Sequence, residues 1–134
     1  MNEFSWPVRV YYEDTDLGGV VYYANYLKFM ERARTEWLRA LDFEQDELIT
    51  NSDVLFAVRN VEVEYLKPAR FNDQLQVSVT PVEIGRASLV LEQEVRKENG
   101  LEVLCKGVIK IASLRASTFR PCPIPVKIQE KLTK

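Results

Sequence analysis

Histidine is absent from the chain. Without imidazole there is no Ser-His-Asp or Cys-His catalysis, no His-ligated zinc or iron centre, and no side chain that titrates unperturbed near neutrality. Acid–base chemistry must therefore come from carboxylates, tyrosine, lysine, cysteine or backbone dipoles. Cysteine is scarce as well: Cys105 and Cys122 form neither a CxxC pair nor a metal-ligand spacing. Cys105 lies in an alternating apolar run and reads as a buried, inert thiol, with no disulfide expected. No apolar stretch approaches the roughly 18 residues of a membrane span, and MNEFSWPVRV lacks the basic flank and apolar core of a signal peptide. A cytoplasmic chain without membrane insertion is expected. Nor is one sign of charge in excess. Lys and Arg number 18 against 20 Asp and Glu, a net −2 that gives no electrostatic footprint for nucleic acid.

What is present suits one globular domain spanning 1–134, with 46% hydrophobic and 28% charged residues. Residues 8–13 alternate as a strand with Val8, Val10 and Tyr12 on one face, and DTDLGG ends it. From about Tyr23 to Leu41, Tyr26, Met30, Ala33, Trp37 and Leu41 recur at spacings of three and four. Phe29, Leu38 and Ala40 widen that stripe, which predicts an amphipathic helix of about five turns. A shorter helical turn is expected over 45–50. Alternation then predicts strands over 54–67, around Leu75 to Val79, around Ala87 to Val95, and over 101–114.

The last strand pairs an apolar face (Val103, Cys105, Ile109, Ile111) with a second one (Leu104, Val108, Ala112). The reading is an α+β architecture, an antiparallel sheet of about five strands curled around one long helix. Part of the outer face is expected to be covered by another copy of the chain. The C-terminal arm, 115–134, carries a local charge of +4 and prolines at 121, 123 and 125. It reads as a solvated arm with an extended start.

The chemistry concentrates in RVYYEDTDLGGVVYYANYLKFMERARTEW, residues 9–37. A carboxylate-bearing loop feeds through two glycines into a helix N-terminus, where backbone N–H groups lack intrahelical acceptors and the helix dipole favours negative charge. Such a place suits a developing oxyanion, and a nearby carboxylate can serve as nucleophile or as general base on water. The same residues also fit a plain turn and helix start.

The run from Arg9 to Tyr26 resembles the signature of the 4-hydroxybenzoyl-CoA thioesterase family: Arg-Val, four residues, Thr-Asp, two residues, Gly-Val-Val, an aromatic position and a final Tyr. Within it, VYYEDTDLGGVVYYANYLKFMERARTEWL and VEVEYLKPARFNDQL (61–75) are similar to the YbgC-type acyl-CoA thioesterases. The resemblance extends to about residue 125 and implies the hotdog fold. It also implies acyl-CoA thioester hydrolysis with no cofactor or metal, coenzyme A being part of the substrate. Asp16 corresponds to the family's catalytic carboxylate, with Asp14 the nearest competitor. Attack on the carbonyl and activation of water both require it ionised.

Gly19 would allow close backbone approach to the acyl group, and the Tyr23 backbone N–H would polarise the thioester carbonyl. YbgC-type proteins usually carry His at position 23, a departure that spares the backbone role and removes an imidazole. Val20, Val21, Tyr22, Asn25, Tyr26, Tyr65, Lys67 and Arg86 are candidate substrate-binding residues, Tyr26 also fitting the core stripe. Arg59, Lys67, Arg70 and Arg86 are candidates for the phosphates of coenzyme A. Glu31 is a minor catalytic candidate, its segment FMERAR suggesting instead a tie to a neighbouring arginine or to backbone. Acyl carrier protein is an alternative acyl carrier, and a non-catalytic acyl-binding or scaffolding role is the alternative to an enzyme. The family also implies a homodimer that joins edge to edge and pairs into a homotetramer, with active sites at the dimer interface.

Overall fold

Apolar side chains repeating at three and four produce the helix α1 (Asn25–Ala40), which buries Tyr26, Phe29, Met30, Ala33, Trp37 and Leu38. The computed structural model describes residues 2–133. Before α1 stands the strand β1 (Phe4–Arg9); after it come a short helix α2 (Gln45–Ser52), four strands, β2 (Val54–Tyr65), β3 (Gln74–Ile84), β4 (Ser88–Lys97) and β5 (Val103–Arg115), and a terminal helix α3 (Val126–Leu132). All five strands form one antiparallel sheet in the order β1-β3-β4-β5-β2. The helix lies against its inner face, packing on β1, β3 and β4. This is the α+β arrangement expected of a hotdog fold.

Two features seat the helix. Gly107 on β5 has no side chain, and a Cβ there would lie 3.0 Å from Met30 Sδ and 3.1 Å from Ile109 Cδ1, so close approach of α1 depends on that glycine. On β4 the buried Gln93 amide donates to Met30 O (3.0 Å) and Ser78 O (3.3 Å), while its oxygen accepts from Arg34 Nη1 (2.9 Å). A core amide with both N–H groups and its oxygen engaged fixes the helix in rotation and along its axis.

Several expectations are corrected. The first strand covers Phe4–Arg9 rather than 8–13, because Tyr12–Asp14 coil into a 3-10 turn. Val8 and Val10 are buried as expected, whereas Tyr12 is exposed. The C-terminal segment is not a solvated arm: Cys122, Ile124, Ile128 and Leu132 are all buried. Ile124, Ile128 and Leu132 recur at four-residue spacing and outweigh the surrounding charge. Lys131 Nζ also donates to Leu41 O at 2.8 Å, at the C-terminal end of α1 where a cation is favoured.

The last strand is not a doubly apolar one. Leu104 is the extra residue of a bulge, and the true outer face reads Lys106, Val108, Lys110. Lys106 stands between Glu94 and Glu64, and Val108 between Glu92 and Glu62. A charge-paired ladder of this kind suits water, so the apolar outer face that suggested a covering copy is not there. Nor does β5 offer an edge, because it is paired on both sides; the open edges belong to β1 and β2.

Because the residue at 107 must stay small beneath Met30, Gly107→Val is expected to cost about 1–3 kcal/mol of stability. Urea unfolding measures it, and the loss should shrink in a Met30→Ala background.

Candidate active site

The site begins with a carboxylate that is not free. Leaving β1, Val10 exchanges backbone hydrogen bonds with the 72–73 segment, through Asp73 O and Asn72 N–H, both at 2.9 Å. The next N–H, Tyr11, donates to Asp14 Oδ2 at 2.8 Å, which pulls the chain out of the ladder and into its turn. Asp14 Oδ1 accepts from the Asn25 side-chain amide at 3.2 Å, and Asp14 O accepts the Tyr22 N–H at 2.9 Å. Only 6% exposed, Asp14 fastens the end of β1 to the first residue of α1.

Two residues on, Asp16 is exposed. Its N–H donates to Val20 O and its C=O accepts from Gly19 N–H, each at 3.0 Å, closing a tight loop. Gly19 has φ +75°, so the glycine is needed for the backbone conformation. Gly18 N–H donates to Asp16 Oδ1 at 2.9 Å. Among the described residues that is the one hydrogen bond to this carboxylate, and Asp16 enters no ion pair.

The loop returns antiparallel through Thr15 and Val21 and delivers the chain to the helix. Tyr22 O accepts the Asn25 N–H at 2.8 Å, while the N–H groups of Tyr23 and Ala24 have no acceptor among the described residues. No side chain caps α1. Two unsatisfied donors thus stand at the positive end of the helix dipole, one strand-return away from Asp16.

Beside them runs an open groove of about 230 Å³ walled by Val21, Tyr23, Tyr26, Tyr65, Leu66, Lys67 and Pro68. The aromatic rings brace one another: centroids are 4.8 Å apart for Tyr22 and Tyr23, 6.2 Å for Tyr23 and Tyr65, and 5.6 Å for Tyr26 and Tyr65. The Tyr26 hydroxyl accepts Ala69 N–H at 3.0 Å, and the Tyr65 hydroxyl donates to Tyr23 O at 3.1 Å. The Tyr23 side chain foremost, and the Asp16 charge to a smaller degree, raise the pKa of Tyr22. Burial does the same for Tyr26 and Tyr65. These three phenols therefore remain protonated at neutral pH. Burial pushes the Cys105 thiol up to about 12, which leaves it inert.

A family profile described as Thioesterase superfamily matches residues 18–104. The chain belongs to the thioesterase superfamily. It is 40% identical over 128 residues to a Haemophilus influenzae protein named acyl-CoA thioesterase YbgC, covering 96% of this chain and 93% of that protein. Identity is 44% over 126 residues to the acyl-CoA thioester hydrolase YbgC of Escherichia coli O6:H1, covering 93% and 92%. In fold, the chain superimposes on a 1,4-dihydroxy-2-naphthoyl-CoA thioesterase from Synechocystis with TM-score 0.91 at 20% identity, covering 99% of this chain and 97% of that one.

Set in this superfamily, the sequence-predicted residues sort unevenly. Asp16, Gly19, Val20, Val21, Tyr22 and Tyr23 lie together in the loop and at the helix start, and Tyr26, Tyr65 and Lys67 join Val21 and Tyr23 as walls of the groove. Asn25 is adjacent, and its amide donates to Asp14 Oδ1, which gives it a framework role. Arg86 is misplaced. It sits in the turn after Ile84, at the far end of 11-residue β3 from Gln74, roughly 30 Å away at strand rise. Lys67 and Arg70 are the nearer candidate cations: Lys67 lines the groove and pairs with Glu102 at 3.0 Å, and Arg70 bridges Val20 through backbone.

Arg59 is exposed at a bulge midway along β2. Glu31 is exposed and makes no ion pair among the described residues; its neighbour Arg34 turns to Gln93 instead. It lines a separate cavity of about 220 Å³ with Trp37, Leu38, Phe56 and Ile111. Sequence reasoning missed the Ala24 N–H and the walls Leu66 and Pro68. The sole available signal for them was adjacency to residues already chosen.

Two aspartates two residues apart should behave oppositely. Asp14→Ala strands the Tyr11 N–H and the Asn25 amide and is expected to lose about 1–3 kcal/mol in denaturant unfolding. Asp16→Asn should stay within about 0.5 kcal/mol of the parent.

Proposed function

We propose that the chain is an acyl-CoA thioesterase, hydrolysing an acyl-CoA to the free acid and coenzyme A. The observation that carries this reading is the exposed Asp16 carboxylate on a loop that returns to two unsatisfied N–H donors at the opening of α1. The match over residues 18–104 and the identities of 40% and 44% to proteins named for this activity support it.

In the proposed reaction the thioester carbonyl carbon sits between these two elements, its oxygen toward the Tyr23 N–H and the adjacent Ala24 N–H. In one route Asp16 attacks that carbon, coenzyme A leaves as a thiolate and takes up a proton, and water cleaves the resulting mixed anhydride. In the other, Asp16 removes a proton from water as the water attacks, and the tetrahedral intermediate collapses with loss of the thiolate. Both routes place negative charge on the carbonyl oxygen, where peptide donors and the helix dipole stabilise it. Neither needs a histidine, a metal or a redox cofactor. The aromatic groove receives acyl or pantetheine carbons, and Lys67 and Arg70 meet phosphate. Coenzyme A and acyl carrier protein present the acyl group through the same phosphopantetheine arm, so the second carrier remains an alternative substrate. The setting proposed is cytoplasmic; no helix among the described residues is long and apolar enough to cross a membrane.

The proposed active unit is a homodimer joined along β2, two of which form a homotetramer. Val58 and Val61 pair with the core residues Ile111 and Ile109 and so face inward, yet they are 48% and 39% exposed, because α1 leaves that side of the sheet uncovered. A second β2 would satisfy the open edge and hide these valines.

Thiol release from short-, medium- and long-chain and aromatic acyl-CoA esters should be detectable with the parent. It should fall by about 1000-fold or more in Asp16→Asn. Undiminished turnover in the variant would refute the assignment, and binding without turnover by the parent would favour the scaffolding role. Light scattering at micromolar concentration should find a multiple of 15.5 kDa, and Val61→Glu should yield an inactive monomer. A parent that is monomeric and active would remove the dimer from the mechanism.

A further inference from the structure

We propose that Tyr65 is a positioning residue for the hydrolysis: reaching across from the edge strand β2, its hydroxyl fixes the orientation of the Tyr23–Ala24 peptide at the mouth of α1. The inference rests on the thioesterase reading above and adds a residue that acts through the backbone, where the sequence suggested only a substrate contact.

An ordinary helix start is held by a capping side chain that accepts one of the first N–H groups. α1 has no such cap, so its opening peptides are not fixed in that way. The opening peptides are held from their other ends instead. A peptide is a rigid plane with its C=O and N–H antiparallel, so fastening the oxygen aims the hydrogen. Tyr22 O accepts the Asn25 N–H at 2.8 Å, which aims the Tyr23 N–H. Tyr23 O accepts the Tyr65 hydroxyl at 3.1 Å, which aims the Ala24 N–H. Both N–H groups stay free among the described residues. Donation to a peptide oxygen also polarises that peptide and strengthens its N–H as a donor.

Tyr65 is suited to this by its own fixation. Its ring stands edge-on to Tyr23 and Tyr26, at 83° and 61°, and Tyr26 is itself buried and tied to Ala69 N–H. Tyr65 is nevertheless 47% exposed, so its hydroxyl could have pointed to water. It also ends β2, the strand whose open edge is proposed to pair with a second copy, which couples assembly to the aim of a catalytic peptide.

Tyr65→Phe keeps the ring and removes the donor. The expected result is a roughly tenfold fall in kcat with KM within about twofold of the parent, and an unchanged oligomeric state. A rise in KM at constant kcat would make Tyr65 merely a wall of the groove and overturn the proposal. The spectroscopic arm uses the best substrate of the acyl-CoA panel, labelled with carbon-13 at the carbonyl and bound to Asp16→Asn. Its carbonyl stretch should move to lower frequency on binding, and less so in Asp16→Asn/Tyr65→Phe. No shift in Asp16→Asn would defeat the oxyanion reading itself; a shift of equal size in both proteins would defeat the role of Tyr65 alone. Tyr65→Leu, which loses ring and hydroxyl together, should match Tyr65→Phe in the carbonyl shift and differ from it in KM.

Discussion

The buried Asp14 carboxylate is the contact on which the geometry of the site depends. One of its oxygens ends the first strand by taking the Tyr11 N–H, and the other holds the Asn25 amide at the start of α1. Between Asp14 and Asn25 the chain has the ten residues 15–24 in which to turn, display a second carboxylate and return. A loop closed over a short span by hydrogen bonds inside the protein has few conformations left, so Asp16 is held in place without being buried. The division of labour follows from solvent access: the buried aspartate, with both oxygens engaged, supports the structure, and the one left accessible is free for the proposed chemistry.

The helix contributes direction. It lies over β1, β3 and β4, seated by the missing side chain of Gly107 and by the amide of Gln93, and leaves the middle of β2, at Val58 and Val61, uncovered on its inner side. Had α1 covered the sheet evenly, the space walled by Tyr23, Tyr26 and Tyr65 would be core. The off-centre position opens a groove at the helix start and leaves Val58 and Val61 in water at the same time. One packing decision thus generates both the groove proposed for the substrate and the surface proposed for a second copy.

How far the sequence could be read depends on how local each cause is. The stripe from Tyr26 to Leu41 and the alternation in β2, β3 and β4 were legible, because burial on one face writes a period into the chain. The early end of β1 was not, because it is caused by one carboxylate catching one N–H. The docking of the tail was hidden by the opposite weighting: five basic residues and three prolines drew attention from three apolar residues at four-residue spacing. The site shows the same divide. Asp16 and Gly19 were found from a motif, whereas the roles of Asp14 and Asn25 exist only once the loop has folded back. Arg86 was chosen for its charge, and charge carries no address.

The absent histidine bears on the proposed chemistry more directly than any residue present. At position 23, where YbgC-type proteins usually carry an imidazole, stands a tyrosine whose ring braces Tyr22 and Tyr65. The imidazole is gone, and that tyrosine side chain contributes packing there. Its peptide is another matter. Backbone donors are indifferent to side-chain identity, so a substitution that removes a titrating group leaves the proposed oxyanion donors intact and, in the proposed reaction, leaves proton transfer to Asp16 and water. An enzyme built this way must rely on preorganisation, and its alignment has to come from neighbours that titrate far from neutrality. The raised phenols around the groove and the peptide hydrogen bonds at the opening of α1 are groups of that kind.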